Sequence, residues 1–95
     1  MSEKLEDLTV SYSEDGIETT KELGKVILSK GSWTTIIFRY QDWDRAKEDY
    51  GPEKYTIRRY QKRNGEYRQQ SKFNISSRAQ AKSLIDALQG WLVEE

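Results

Sequence analysis

Four runs between Lys25 and Ile75 are rich in β-branched and aromatic residues, and each is bounded by turn-forming residues. Lys25–Ser29 and Trp33–Trp43 are separated by Lys30-Gly31-Ser32, a gap short enough for a hairpin. Tyr55–Arg63 and Glu66–Ile75 flank Asn64-Gly65, the pair that best tolerates the two positive φ angles of a type I′ turn. Residues 44–54 between the hairpins are polar and hold the single proline, Pro52, which marks a connector. Beyond Ser76 the apolar spacing lengthens to that of a helix. Ala81, Leu84, Ile85, Leu88 and either Trp91 or Leu92 fall on one face, Ser77 can cap the start, and Gln80 completes a capping box. The sequence predicts an α+β fold: a curved, four-stranded antiparallel sheet of two hairpins, followed by one C-terminal helix.

The second hairpin carries an internal conflict. A strict two-residue turn pairs Arg63 with Glu66 and sets Ile57 opposite Lys72, which mixes an apolar face with a charged one. One extra residue in the ladder returns Ile57 to Phe73 and bends the ribbon, so a bulged hairpin is expected. Strict alternation places Tyr67, Phe73 and Ile75 on the helix side and Arg68, Gln70, Lys72 and Asn74 on the other. In the preceding strand, Tyr55 and Ile57 face the helix, while Arg58, Tyr60 and Lys62 face away. The distal part, Gln61 to Gln69, has little to bury and is expected to project past the helix.

Charge divides the neutral chain in two. Residues 1–22 hold two lysines against seven acids, and residues 23–95 hold fourteen bases against nine acids. The first part, an acidic segment with scattered apolar residues, reads as a mostly flexible tail; the second reads as one small domain. Leu, Ile, Val and Phe number only nineteen, so the core is thin, and three Trp and six Tyr must supply much of the buried area. Self-association would help such a chain.

Without cysteine or histidine, the chain lacks thiolate chemistry, the commonest general base and the commonest metal ligand. The serines have no His partner, the glycines lack phosphate-loop spacing, and Asp42, Asp44, Glu48 and Asp49 are interspersed with Arg45 and Lys47. No enzyme activity, cofactor, metal or small-molecule substrate is expected. No apolar run approaches a membrane span, and the N-terminus lacks a signal pattern, so the expected location is cytoplasmic, or nucleoid-associated in a bacterium.

What remains is the basic hairpin. Lys54 to Lys82 holds nine bases and one acid, Glu66. A solvated sheet face accounts for any one of them, but repulsion among the whole set favours a polyanionic partner. The candidate contacts are Arg58, Lys62, Arg68 and Lys72 for phosphates, Tyr60 for base stacking, and Gln70 and Asn74 for adaptable hydrogen bonds. Arg39 and Trp33 of the first hairpin join them. Leu84, Leu88 and Trp91 on the helix are the candidate dimer contacts.

Ile57-Arg58-Arg59-Tyr60, Gly65 in the turn, Lys72 and Ile75 at the strand end, then Ser77 and an amphipathic helix resemble the family of the transcriptional coactivator positive cofactor four. The likeness covers roughly Leu23 to Trp91 and is firmest from Tyr55 to Ser77. It implies a dimer whose curved hairpins form a channel for single-stranded DNA, with Arg58 and then Lys72 as backbone contacts. Gln61 stands where that family often has an aromatic, "QQSKFN" replaces its Pro-Gly and Lys-Gly features, and the connector is longer and more acidic. The expectation is a homodimer that binds single-stranded DNA with low sequence specificity; RNA fits the same surface. The alternative is an interaction module whose basic face meets an acidic protein. The acidic tail would compete for this face, so that deleting residues 1–22 tightens binding.

Overall fold

In the computed structural model, which describes residues 4–93, a curled antiparallel sheet is followed by one C-terminal helix. The strands are β1 (Tyr12–Glu14), β2 (Ile17–Ser29), β3 (Trp33–Asp44), β4 (Asp49–Tyr50), β5 (Lys54–Arg63) and β6 (Glu66–Ile75), and the helix is α1 (Arg78–Leu92). They lie in the order β1-β2-β3-β5-β6, with the two-residue β4 pairing to the end of β3. The α+β class holds, with six strands rather than four.

The division expected at residue 22 does not fall there. β2 begins at Ile17 and β1 pairs with it, so the acidic segment is built into the sheet. Its turn, Asp15-Gly16, takes φ of 52° and 79°, the same left-handed pair that Asn64-Gly65 adopts at 52° and 77°. Backbone pairing needs no apolar side chains, which is why an acidic stretch can extend a strand whose partner is in register.

Register fixes which residues share a face. Ile36 lies opposite Ile27 and Arg58, Phe38 opposite Lys25 and Thr56, and Thr34 opposite Tyr60. This inner face is covered by the chain's own N-terminal segment. A short 3-10 turn over Leu5–Asp7 leads into Leu8 and Val10, which bury themselves against Ile36, Phe38, Tyr60 and Tyr67. Lys25 Nζ donates to the carbonyls of Leu5 and Leu8, and Thr9 Oγ1 donates to the Glu22 carboxylate. Thr34 and Thr56, also buried there, bond through their hydroxyls to Gly31 O and to Asn74 Oδ1. The core is therefore the sheet's inner face plus one strap of chain.

The outer face is the helix side. Tyr55 pairs with Ile75 and Ile57 with Phe73, so the expected pairing of Ile57 with Phe73 is present, as is the turn pair Arg63 and Glu66. The extra residue that reconciles them is Gln70, between the Arg59–Ser71 and Tyr60–Gln69 pairs. Ser77 caps α1 by accepting from the Gln80 amide at 3.1 Å, and Gln80 Oε1 accepts from the Ser76 amide at 2.9 Å, one residue earlier than the expected box.

Yet α1 buries no residue. It meets the sheet chiefly along β6, and Ile85, Leu88, Trp91 and Leu92 stand exposed, Trp91 at 73%. The radius of gyration, 15.3 Å, exceeds the roughly 12 Å of a compact chain of this length.

Candidate nucleic-acid interface

The bulge at Gln70 sorts the basic residues differently from strict alternation. Arg58 and Lys72 are directly opposed on the inner face, next to the Thr56–Asn74 pair, and Lys62 is opposed to Tyr67 on that face. Arg68 pairs with Gln61, and with Trp33 beyond it, on the helix side. Arg68 and Lys72 therefore do not share a face as expected, and Tyr67 lies with Tyr60 rather than with Phe73 and Ile75. An extra residue inverts the parity of everything beyond it.

The candidates fall into two groups around one edge. On the inner side, Arg58 Nη1 donates to Gln69 Oε1 at 2.8 Å and Nε to Thr56 Oγ1 at 3.5 Å, while Lys62 Nζ sits 5.4 Å from the Tyr67 ring centroid. Asn74 accepts from Thr56 Oγ1 at 2.8 Å, and Gln70 donates to Arg68 O at 3.4 Å. On the helix side, the Arg59 guanidinium lies 4.6 Å over the Trp33 ring. Arg39 also faces this side, but it is held by Glu53 at 3.7 Å and by Leu23 O. It is tied to the connector and distant from the hairpin tip.

The other ion pairs of the described residues, Arg45–Glu14 and Lys54–Asp42, use none of Arg58, Arg59, Lys62, Arg63, Arg68 or Lys72. Six cations on one ribbon therefore have no carboxylate partner among the described residues. β6, which carries two of them, is an edge strand exposed over most of its length. The N-terminal strap lies across the inner face through Leu5, Leu8 and Val10. The expected competitor deletion of residues 1–22 would remove β1, half of β2 and two core side chains. It is a folding lesion and not a test of competition.

Tyr60 departs most from expectation. It is 5% exposed beneath Leu8 and Val10, so its ring is not open to a base. Burial raises the pKa of its hydroxyl, with Arg58 opposing and Glu22 adding to the shift. Because the folded value lies above the unfolded one, this contribution to stability is complete below the unfolded pKa, about 10. It is lost as pH rises through the folded value. Tyr60→Phe should accordingly weaken the alkaline fall in stability, measured by urea unfolding at neutral pH and above pH 10. An identical fall in both proteins would exclude Tyr60 as a contributor.

Two aromatics stay open beside these bases, Phe73 of β6 and Trp33, and Trp33 is the one with a guanidinium over its ring. The signal was its position, the first strand residue after a Gly-containing turn and so at the end of the ladder. No group of three or more Asp or Glu is placed to hold a metal among the described residues, and no helix there is long and apolar enough to cross a membrane. Comparisons with family models, with curated proteins and with solved structures find no match.

Proposed function

We propose that the chain is a homodimeric protein that binds single-stranded DNA with low sequence specificity, in the manner of the positive cofactor four family that its second hairpin resembles. One observation carries the reading. Among the described residues, Arg58, Lys62, Arg63, Arg68 and Lys72 stand without carboxylate partners along the β5–β6 ribbon, and β6 is an open edge. Such a ribbon releases counterions when a phosphate backbone runs along it. A narrow, bent ribbon with cations on both faces suits a flexible single strand better than the fixed grooves of a duplex. Arg58, Lys62, Arg68 and Lys72 contact phosphates in this reading, and the amides of Gln70 and Asn74 bond to sugar or base.

The homodimer rests on two surfaces of one chain that each lack a cover. The exposed stripe of α1 is one. The other is an apolar groove on the helix side, where Val26, Ile37 and Tyr55 run into a cleft of about 300 Å³ lined by Ile37, Tyr55, Ile75, Ala81, Leu84 and Ile85. A 15-residue helix seated by its first turns alone is marginal in water. A second copy supplies a groove for each stripe, which is the self-complementarity of a two-fold interface.

Arg58→Ala and Lys72→Ala test the phosphate contacts. Titrated with fluorescent oligo-dT across a salt series, each should lower the magnitude of the log–log slope by roughly 0.7, the value of one phosphate contact on a single strand. Unchanged slopes in both would remove this pair from the interface.

A further inference from the structure

The burial of Tyr60 removes the expected stacking surface, and the helix side offers a replacement in which an indole and guanidinium groups lie together. Trp33 opens β3 and lies directly opposite Gln61 of β5, which in turn lies opposite Arg68 of β6. The adjacent rung on this face is Thr35, Arg59 and Ser71. Arg59 covers one face of the indole at 4.6 Å, and the residue remains 42% exposed. Two rungs therefore place an indole, two guanidinium groups, an amide and two hydroxyls side by side. Glu66, opposite Arg63 at the tip, is the one acid of the ribbon.

We propose that Trp33 and Arg59 form a stacking site for an unpaired base, with Arg68 and Gln61 bonding to the phosphate or edge of the same nucleotide. The site rests on the single-strand reading above and specifies how that surface engages bases as well as phosphates. Arg59 holds the indole by a cation–π contact and draws electron density from it, while the opposite ring face stays available to the base. A ring already fixed by its neighbour loses little freedom on binding, so the stack is pre-organised. Folding alone leaves the arrangement unused in part: 42% of Trp33 stays exposed, and Arg59 has no carboxylate partner among the described residues. The position is also compatible with dimerisation. Trp33 is four residues along β3 from Ile37, about 13 Å at strand rise, and so lies clear of the apolar groove.

Bases, not phosphates, are what this site reads, so the test removes bases and keeps phosphates. Oligo-dT and an abasic oligomer of equal length are titrated against the wild-type protein, Trp33→Ala and Trp33→Phe. The wild type should prefer oligo-dT by about tenfold or more, within the range of a single stacked base. Trp33→Ala should lose most of that preference with its salt slope unchanged, and Trp33→Phe, which keeps a ring and a strand-compatible side chain, should retain part of it. Equal wild-type affinity for both oligomers overturns the stacking site and leaves phosphate binding standing. A preference that survives in Trp33→Ala overturns it too, as does a folded Trp33→Phe variant that shows no preference at all. A wild type that binds neither oligomer at low salt overturns the single-strand reading itself.

Discussion

With the two-fold pairing proposed above, Leu88→Asp should convert the protein from a dimer to a monomer. Leu88 is exposed at the middle of the apolar stripe formed with Ile85, Trp91 and Leu92, and no described residue of its own chain buries it. Burying side chains of this kind contributes roughly 1.5–3 kcal/mol each, so four of them on each copy can drive association. A carboxylate in that position must be desolvated without a partner, at a cost of several kcal/mol, which should weaken the dimer by at least about a hundredfold. Sedimentation or light scattering should show the mass halved at concentrations where the wild type is dimeric. Thermal unfolding of the wild type should shift upward with protein concentration, and that of the variant should not. A wild type that is monomeric throughout the accessible range would remove the second copy from the account of α1. The exposed stripe would then need another cover.

The second large effect is expected at the opposite face. Leu8→Ala should cost roughly 2–5 kcal/mol of stability, the range for truncating a buried leucine. Leu8 lies outside every strand, in a segment whose composition is that of a solvated tail, and such a residue would ordinarily be worth little. Here it is 5% exposed and packs with Val10 over Ile36, Phe38, Tyr60 and Tyr67. A 95-residue domain has only about 5–15 kcal/mol in total, so the loss is a large part of its margin. Urea unfolding followed by tryptophan fluorescence measures it directly. Leu28→Ala, at an exposed position of β2, is the control and should change stability by less than about 0.5 kcal/mol. Equal small effects at both positions would mean that the strap does not hold the core.

The contrast between these two faces shows what could be read from the residues alone. The second hairpin was legible in detail, because Asn64-Gly65 admits few backbone conformations and Ile57 has an apolar partner only at Phe73. Together those two constraints require a bulge, and the ladder contains one. The location of the bulge was not legible. Gln70 has polar residues on both sides, so no apolar position says on which side of it the extra residue falls. Placing it there moves Arg68 and Tyr67 to the faces opposite those that simple alternation assigns.

The N-terminal hairpin was signalled too, by Asp15-Gly16, but charge argued against it. Composition reports whether a segment can bury a face of its own. It does not report whether a neighbouring strand will accept it as an extra rung. Tyr60 illustrates the same limit. Its parity with Arg58 and Lys62 was correct, and the face it shares with them proved to be the core face, because a strap fifteen or more residues before the first expected strand returns to cover it. α1 was legible in its cap, its length and its stripe. Where the stripe would point was not: it stands exposed beside the sheet, with the helix seated chiefly along β6.

Under the proposed function, the phosphate backbone of a single strand runs along the β5–β6 ribbon, whose cations have no carboxylate partner among the described residues. The most direct measurement is the affinity of the wild-type protein for oligo-dT as a function of salt. Four phosphate contacts, through Arg58, Lys62, Arg68 and Lys72, give an expected log–log slope of about −3. Tight binding at low salt with a slope near that value is the expected result. No binding at low salt, or an affinity indifferent to salt, would contradict it.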